Sequence, residues 1–338
     1  MLTARVPDRI TILLTHRCDL SCEFCFDASQ VMRASPAADV SLEAVDRLLE
    51  LLRESRVPRF NVSLSGGEPT LHPHFLEILA RVTEAGFSAT ILSNGQRLAD
   101  PQFMDEVLRF NVWNFQFSIE GASAAVHDQR AGRPGAWERT VRALENSLSR
   151  GVRFITNSTL TPERPDDLFR LVDFLAELGV PKMNVGNVLP ENGGCNRPLL
   201  VEYPAVVDLA EQLTLYALTR PIGFSFITPL PLCLKRGRVI SNPSVCSAGG
   251  YSIVMDVDGT LRACSVCLAG GPHVAGLRAL QDAGPLLRPF VERDVRCQVP
   301  AECLRCESLA ACRAACPLYW KIPGVRTPSA WAAPGATG

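Results

Sequence analysis

Lysine is almost missing from this chain. It occurs only at Lys182, Lys235 and Lys321 among 338 residues, and the remaining positive charge is arginine. Lys+Arg 34 against Asp+Glu 35 leaves a formal net charge of -1, so the basic excess that a nucleic-acid-binding surface needs is absent. No run of about 18 apolar residues occurs, which excludes an ordinary transmembrane helix. The opening MLTARVPDRITILLTH has an apolar stretch too short and too interrupted for a signal peptide. These absences predict a soluble, cytoplasmic protein with neither a membrane nor a nucleic acid as partner. In that reducing compartment the 13 cysteines stay thiols, and their clustering favours metal ligation over disulfides.

With 47% of residues hydrophobic, there is enough apolar material for one core of about 200 to 250 residues and an appended module. Short β-branched runs alternate with amphipathic stretches of helical length, the pattern of parallel βα units. Strands are predicted at 9–15, 60–65, 88–93, 113–119, 153–160 and 182–189. A helix follows Ser41, a good N-cap, with Leu42, Val45, Leu48, Leu49 and Leu52 on one face. Further helices are expected near 73–85, 101–110, 135–149, 165–178 and 204–218. Six units make an open, partial (β/α)6 barrel of TIM-like type, whose chemistry belongs at the carboxyl ends of the strands.

The polar motifs obey that rule. THRCDLSCEFCF follows strand one and sets Cys18, Cys22 and Cys25 at CxxxCxxC spacing; SGGEPTLHP follows strand two, SNG strand three, and SIEG ends strand four. Each motif alone has a plain structural reading: Gly66-Gly67 as a tight turn, Asn94-Gly95 as a common turn pair, Glu120 as a solvated strand end. Four of them at equivalent strand ends are hard to assign to chance. Three cysteines are one fewer than most protein metal sites take, which leaves a position open, by the logic that keeps a catalytic zinc site open.

On CxxxCxxC followed one strand later by GGE, the sequence resembles the radical S-adenosylmethionine (SAM) enzymes. The resemblance implies that Cys18, Cys22 and Cys25 hold a [4Fe-4S] cluster whose fourth iron binds the amino and carboxylate groups of SAM. Reductive cleavage then gives a 5'-deoxyadenosyl radical. It implies that Phe24 lies against the adenine, that Gly66, Gly67 and Glu68 meet the methionine amino group, and that Ser93, Asn94, Ser118 and Glu120 contact the ribose and carboxylate. Two positions depart from the family pattern: Glu120 stands where relatives usually have Asp, and Ala131-Gly132 where they usually have Arg-Gly. The second departure leaves Arg130 or Arg133 as the candidate carboxylate anchor.

A second cysteine block begins at Cys246. Twelve residues separate it from Gly259 and four more lead to Cys264, with Asp258-Gly259 expected to turn a hairpin. Cys303, Cys306, Cys312 and Cys316 then follow at Cx2Cx5Cx3C spacing. This resembles the SPASM extension, which carries one or two auxiliary [4Fe-4S] clusters; a zinc module is the alternative. The resemblance implies Cys246, Cys264 and Cys316 in the first auxiliary cluster, with Cys233 or Cys267 completing it. Cys303, Cys306 and Cys312 belong to the second, with Cys297 as substitute fourth ligand. Cys195 and any leftover thiol are read as inert or as a hydrogen-atom donor. The expected division is a barrel over 1–220, a module over 221–320 and a disordered tail over 321–338.

The expected function is an iron–sulfur oxidoreductase that abstracts a hydrogen atom and yields an oxidised product, served by a reductant such as flavodoxin or ferredoxin. An epimerase with a cysteine hydrogen donor and a non-catalytic Fe–S electron carrier are the alternatives. Only 17 residues precede Cys18, so the substrate is expected to be a small molecule such as an aminocyclitol or sugar, or a peptide presented by a partner.

Overall fold

The computed structural model describes residues 9–25, 39–55, 61–163, 165–189, 197–242, 245–248, 252–266, 271–290, 299–321 and 327–328. Seven parallel strands form one cupped sheet: β1 (Arg9–Thr15), β2 (Asn61–Gly66), β3 (Ser88–Ser93), β4 (Val112–Ser118), β5 (Phe154–Leu160), β6 (Lys182–Asn187) and β7 (Gly223–Phe226), each paired with the next. Helices α1 (Leu42–Glu54), α2 (Phe75–Glu84), α3 (Pro101–Val107), α4 (Ala124–Ala131), α5 (Ala136–Ser149), α6 (Pro165–Leu178) and α7 (Tyr203–Ala217) lie between them. The six expected βα units are all present. A seventh strand is added, so the barrel sheet runs on past residue 220. Its four residues, GFSF, are too short for a periodicity to register.

Ser41 caps α1 as its sequence suggests, the side chain accepting from the Ala44 N–H at 3.2 Å, and Val45, Leu48, Leu49 and Leu52 are buried beneath it. Alternation along the strands sorts the two faces. Ile10, Ile12, Val62, Leu64, Ala89, Ile91, Phe115, Phe117, Met183 and Val185 point toward the helices and form the core. The opposite, concave face is set by register: Thr11 beside Ser63, Ser63 beside Thr90, Thr90 beside Asn114, Ser118 beside Asn157, Asn157 beside Asn184 and Asn184 beside Ser225. These positions of the inner wall are hydroxyl and carboxamide, with no formal charge, and Leu13, Leu92 and Ile155 share the face with them.

The hairpin predicted at Asp258-Gly259 forms between β8 (Ser252–Met255) and β9 (Leu261–Arg262), with Gly259 at φ +80°. β8 pairs in parallel with β1, from Arg9 beside Ser252 to Ile12 beside Met255. An open barrel leaves the first strand with unpaired backbone groups, and the hairpin satisfies them. Short helices flank the hairpin in the chain, α8 (Leu232–Lys235) before it and α9 (Ala283–Phe290), α10 (Ala301–Leu304) and α11 (Leu309–Cys312) after it. Among the described residues no helix is long and apolar enough to cross a membrane. The tail expected to be disordered lies largely outside the described residues.

Candidate active site

The loop after β1 is held against the end of β2 by backbone alone. The Gly67 N–H donates to the Thr15 carbonyl at 2.7 Å and the Glu68 N–H to the Arg17 carbonyl at 2.8 Å. A Cβ on Gly66 would come within 2.3 Å of the Thr15 carbonyl oxygen, and one on Gly67 within 2.4 Å of the Arg17 carbonyl oxygen. Side chains at either position would push the loop away, so the Gly-Gly pair is required by close approach. On its other flank the loop is pinned by the Ser21 N–H, which donates to the Ala131 carbonyl at 2.9 Å. There Gly132 is left-handed at φ +66°, and a Cβ would meet the Ser21 side chain and backbone.

Glu68 is 1% exposed and organises this end of the sheet. Its Oε1 accepts from the Thr70 N–H (3.2 Å), the Thr70 hydroxyl (2.7 Å) and the Ser93 hydroxyl (2.9 Å), and its Oε2 from the Asn94 N–H (2.8 Å). Burial pushes its carboxyl up to about 7 against those bonds. Asn94 in turn donates through Nδ2 to Asp19 Oδ1 at 2.7 Å, with Cys18 Sγ at 3.9 Å. Asp19 Oδ2 takes Arg133 Nη1 at 3.0 Å. The ends of β2 and β3, and Arg133 after α4, are thus tied to the cysteine loop through Glu68, Asn94 and Asp19. Sequence reasoning missed Asp19, whose place inside CxxxCxxC was its one signal.

Glu120 is 3% exposed. It accepts from the Thr159 N–H at 2.8 Å, lies 3.8 Å from Arg130, and is also pushed up to about 7 by burial. The Arg130 guanidinium donates to the Thr159 carbonyl at 2.6 Å and stands 5.3 Å from the Phe24 ring centroid. Ser118 sits exposed at the end of β4. His16, on the cysteine loop, faces Asp256 of the hairpin at 3.5 Å, and Arg262 closes on the same carboxylate. The hairpin and the loop after β1 are therefore in contact.

Cys18, Cys22 and Cys25 are half-buried and in no disulfide. Burial pushes the Cys18 thiol up to about 12 and Cys22 higher still, with Cys18, Cys25 and Glu120 each adding repulsion at Cys22. Three thiols gathered on a loop with fixed backbone fit a polynuclear iron–sulfur group, whose binding relieves the cost of a buried thiolate. Among the described residues no three His, Cys, Asp or Glu side chains converge on a single ion; a cube takes each thiolate on a different iron.

The remaining cysteines fall into two groups. Cys316 is buried, and Cys246 and Cys264 act on it electrostatically. Cys233, Cys303, Cys306 and Cys312 line one small cavity, with Leu232, Leu309 and Trp320. Arg313, Ala314 and Ala315 run left-handed at φ 53°, 57° and 57°, which turns the chain between Cys312 and Cys316 and sends these neighbours to different groups. Cys233 therefore sits apart from the Cys246 group with which the sequence reading offered to place it. Cys195, Cys267 and Cys297 lie outside the described residues.

Residues 12–176 match the radical SAM superfamily. The chain carries a radical SAM domain. It is 29% identical over 188 residues to AdoMet-dependent heme synthase of Methanosarcina barkeri, covering 56% of this chain and 52%, about half, of that protein. It is 25% identical over 267 residues to PqqA peptide cyclase of Ruegeria pomeroyi (77% of this chain, 68% of the relative). It is 26% identical over 323 residues to mycofactocin maturase MftC of Mycobacterium ulcerans (92% and 83%). The structure of Streptococcus suis SuiB bound to S-adenosylmethionine superposes with a TM-score of 0.73 at 19% identity, covering 95% of this chain and 77% of that one. That last likeness shows a shared fold. S-adenosylmethionine and an iron–sulfur cluster are the cofactors of this superfamily.

Proposed function

We propose that this protein is a radical SAM oxidoreductase acting on a peptide. The observation that carries the reading is the convergence of three thiols on one loop with Glu68, Asn94 and Glu120 at the carboxyl ends of β1 to β4. When bound, the cluster supplies the electron that cleaves the sulfonium of SAM, and hydrogen abstraction from the substrate follows. In this reading Cys18, Cys22 and Cys25 hold three irons, Phe24 lies against the adenine, and the backbone of Gly66 and Gly67 approaches the methionine end. Glu68 positions Ser93 and Asn94 beneath it, while Ser118 and Glu120 face the ribose.

The peptide substrate is supported by two things. The relatives aligned over both barrel and C-terminal module carry the names peptide cyclase and maturase. The concave wall offers uncharged hydrogen-bonding groups, including Asn157 Oδ1 and Asn184 Oδ1, buried and without a partner among the described residues. Such groups match amides, and they would leave a charged aminosugar without a counter-ion. An external flavoprotein or ferredoxin is the proposed electron donor, and a cysteine-rich module beside the barrel suits removal of an electron from the substrate, giving an oxidised product.

The test is anaerobic turnover with SAM, dithionite and peptides encoded beside the gene. Formation of 5'-deoxyadenosine with a peptide product lighter by two hydrogens is expected. Absence of 5'-deoxyadenosine refutes the enzyme reading; an oxidised aminocyclitol with untouched peptides refutes the substrate.

A further inference from the structure

We propose that Cys233 is the fourth thiolate of an auxiliary iron–sulfur cluster held otherwise by Cys303, Cys306 and Cys312, so that one ligand of the C-terminal module comes from the segment that leaves the barrel. The proposal rests on the radical SAM reading above and moves to this set a ligand that the resemblance offers to the other. The family resemblance offers Cys297 as a substitute fourth ligand of this set, and Cys233 or Cys267 to complete the other.

The geometry favours Cys233. It is the second residue of α8, which begins six residues after β7 ends, and its side chain lines the same cavity as Cys303, Cys306 and Cys312. The backbone beside it is already turned to that group: the Leu232 N–H donates to Cys312 Sγ at 3.4 Å. By contrast Cys316 packs in a different small cluster, with Cys264 against it.

Local turns explain how three of the four meet. The Cys306 N–H donates to the Cys303 carbonyl at 3.1 Å and the Cys312 N–H to the Ser308 carbonyl at 2.8 Å, folding the Cx2Cx5C stretch back on itself. The fourth side of the cavity is then formed by Pro231, Leu232 and Cys233. The four thiols surround a cavity and do not converge on a single-ion point. A cube takes each of four thiolates on a different iron, whereas a tetrahedral zinc draws its four sulfurs to about 2.3 Å from one centre. Leu232, Leu309 and Trp320 give the cavity an apolar lining, which restricts solvent access to a cluster.

A consequence separates this assignment from a decorative thiol. With Cys233 as ligand, loading the cluster ties the exit of β7 to the module, so the barrel end and the Cx2Cx5C segment are fixed together by metal–sulfur bonds. Cys233 is exposed, so it should alkylate readily in the metal-free chain and be shielded once ligated.

The experiment has two arms. In the first, the Cys18→Ala, Cys22→Ala, Cys25→Ala chain is reconstituted anaerobically so that iron and acid-labile sulfide report on the module alone, and C233S and C297S are added separately. C233S is expected to lower iron and sulfide and to produce a three-iron electron paramagnetic resonance signal, with C297S unchanged. Retention of iron, sulfide and spectrum in C233S, with loss in C297S, overturns the proposal. In the second arm, which needs no substitution, the unaltered loaded chain is treated with iodoacetamide and its peptides are weighed. Cys233 protected when loaded and labelled after chelation supports ligation; Cys233 labelled in the loaded chain overturns it. A module that takes zinc without sulfide also overturns it, yet leaves SAM cleavage by the unaltered chain intact. Failure of SAM cleavage in the unaltered chain is the separate sign that the underlying enzyme reading is wrong.

Discussion

Replacing Gly67 with Ala tests whether the cysteine loop is positioned by backbone contact. The new Cβ would lie 2.4 Å from the Arg17 carbonyl oxygen, 2.8 Å from its carbon and 2.9 Å from the His16 carbonyl oxygen. All three are backbone atoms, so no flexible side chain can yield. Overpacking of this kind costs about 1 to 3 kcal/mol. Pushing the loop outward also loosens the Gly67–Thr15 and Glu68–Arg17 hydrogen bonds of 2.7 and 2.8 Å, at about 1 kcal/mol each. The expected destabilisation is therefore about 3 to 5 kcal/mol. Gly86→Ala is the control, because Gly86 has φ +86° and nothing within 4 Å of a Cβ. It should cost only the left-handed penalty of about 1 kcal/mol. Urea unfolding of both cluster-free variants measures the difference, and iron retention with 5'-deoxyadenosine formation measures the functional loss. Equal destabilisation by the two substitutions, or a G67A chain that cleaves SAM at the parent rate, would refute the reasoning.

Three further outcomes are expected. Replacing Cys18, Cys22 and Cys25 together with Ala should abolish 5'-deoxyadenosine formation while iron and sulfide persist in the C-terminal module, read by chemical analysis of the reconstituted chain. Glu120 is raised by burial from 4.5 to about 7, so its contribution to stability is full below about pH 4.5 and lost as pH rises through about 7. Relative to E120Q, the cluster-free parent should lose up to about 3 kcal/mol over that window in urea titrations at several pH values; a constant difference between the two would contradict the burial argument. Arg133→Ala removes a partly exposed pair with Asp19 and should cost under about 1 kcal/mol of stability, yet raise the SAM concentration needed for half-maximal cleavage, because Asp19 lies between Cys18 and Asn94 in the tether.

Much of the barrel was readable because its signals are local. The strands at 9–15 and 88–93 and the helix at 165–178 have the expected bounds, each marked by β-branched alternation or an amphipathic repeat. The four-residue β7 and the weakly amphipathic α4 were not anticipated, since neither is long or periodic enough to stand out. The pairing of β8 with β1 was equally hidden: it depends on which edge an open sheet leaves bare, a property of the assembled fold. At the site, the motifs announced which residues gather but not what their atoms do. Glu68 was expected to meet a ligand amino group, and the structure surrounds its carboxylate with four donors from Thr70, Ser93 and Asn94.

The two departures from the family pattern are connected through one buried pair. Glu120 is one methylene longer than Asp, and it reaches the Thr159 N–H on the neighbouring strand while lying 3.8 Å from Arg130. Ala131 brings no guanidinium to the loop, but Arg130 beside it stays within the fold, held by the Glu120 and Thr159 carbonyls under Phe24. What the Ala131-Gly132 pair retains is the glycine, and it is the glycine that the Ser21 backbone requires. Both nearby cations are already paired, Arg130 with a buried carboxylate and Arg133 with Asp19. A carboxylate arriving at this site would have to draw a guanidinium from an existing partner. The partly exposed Arg133 pair costs less to open than the buried Arg130 pair, so Arg133 is the guanidinium that physical chemistry makes available.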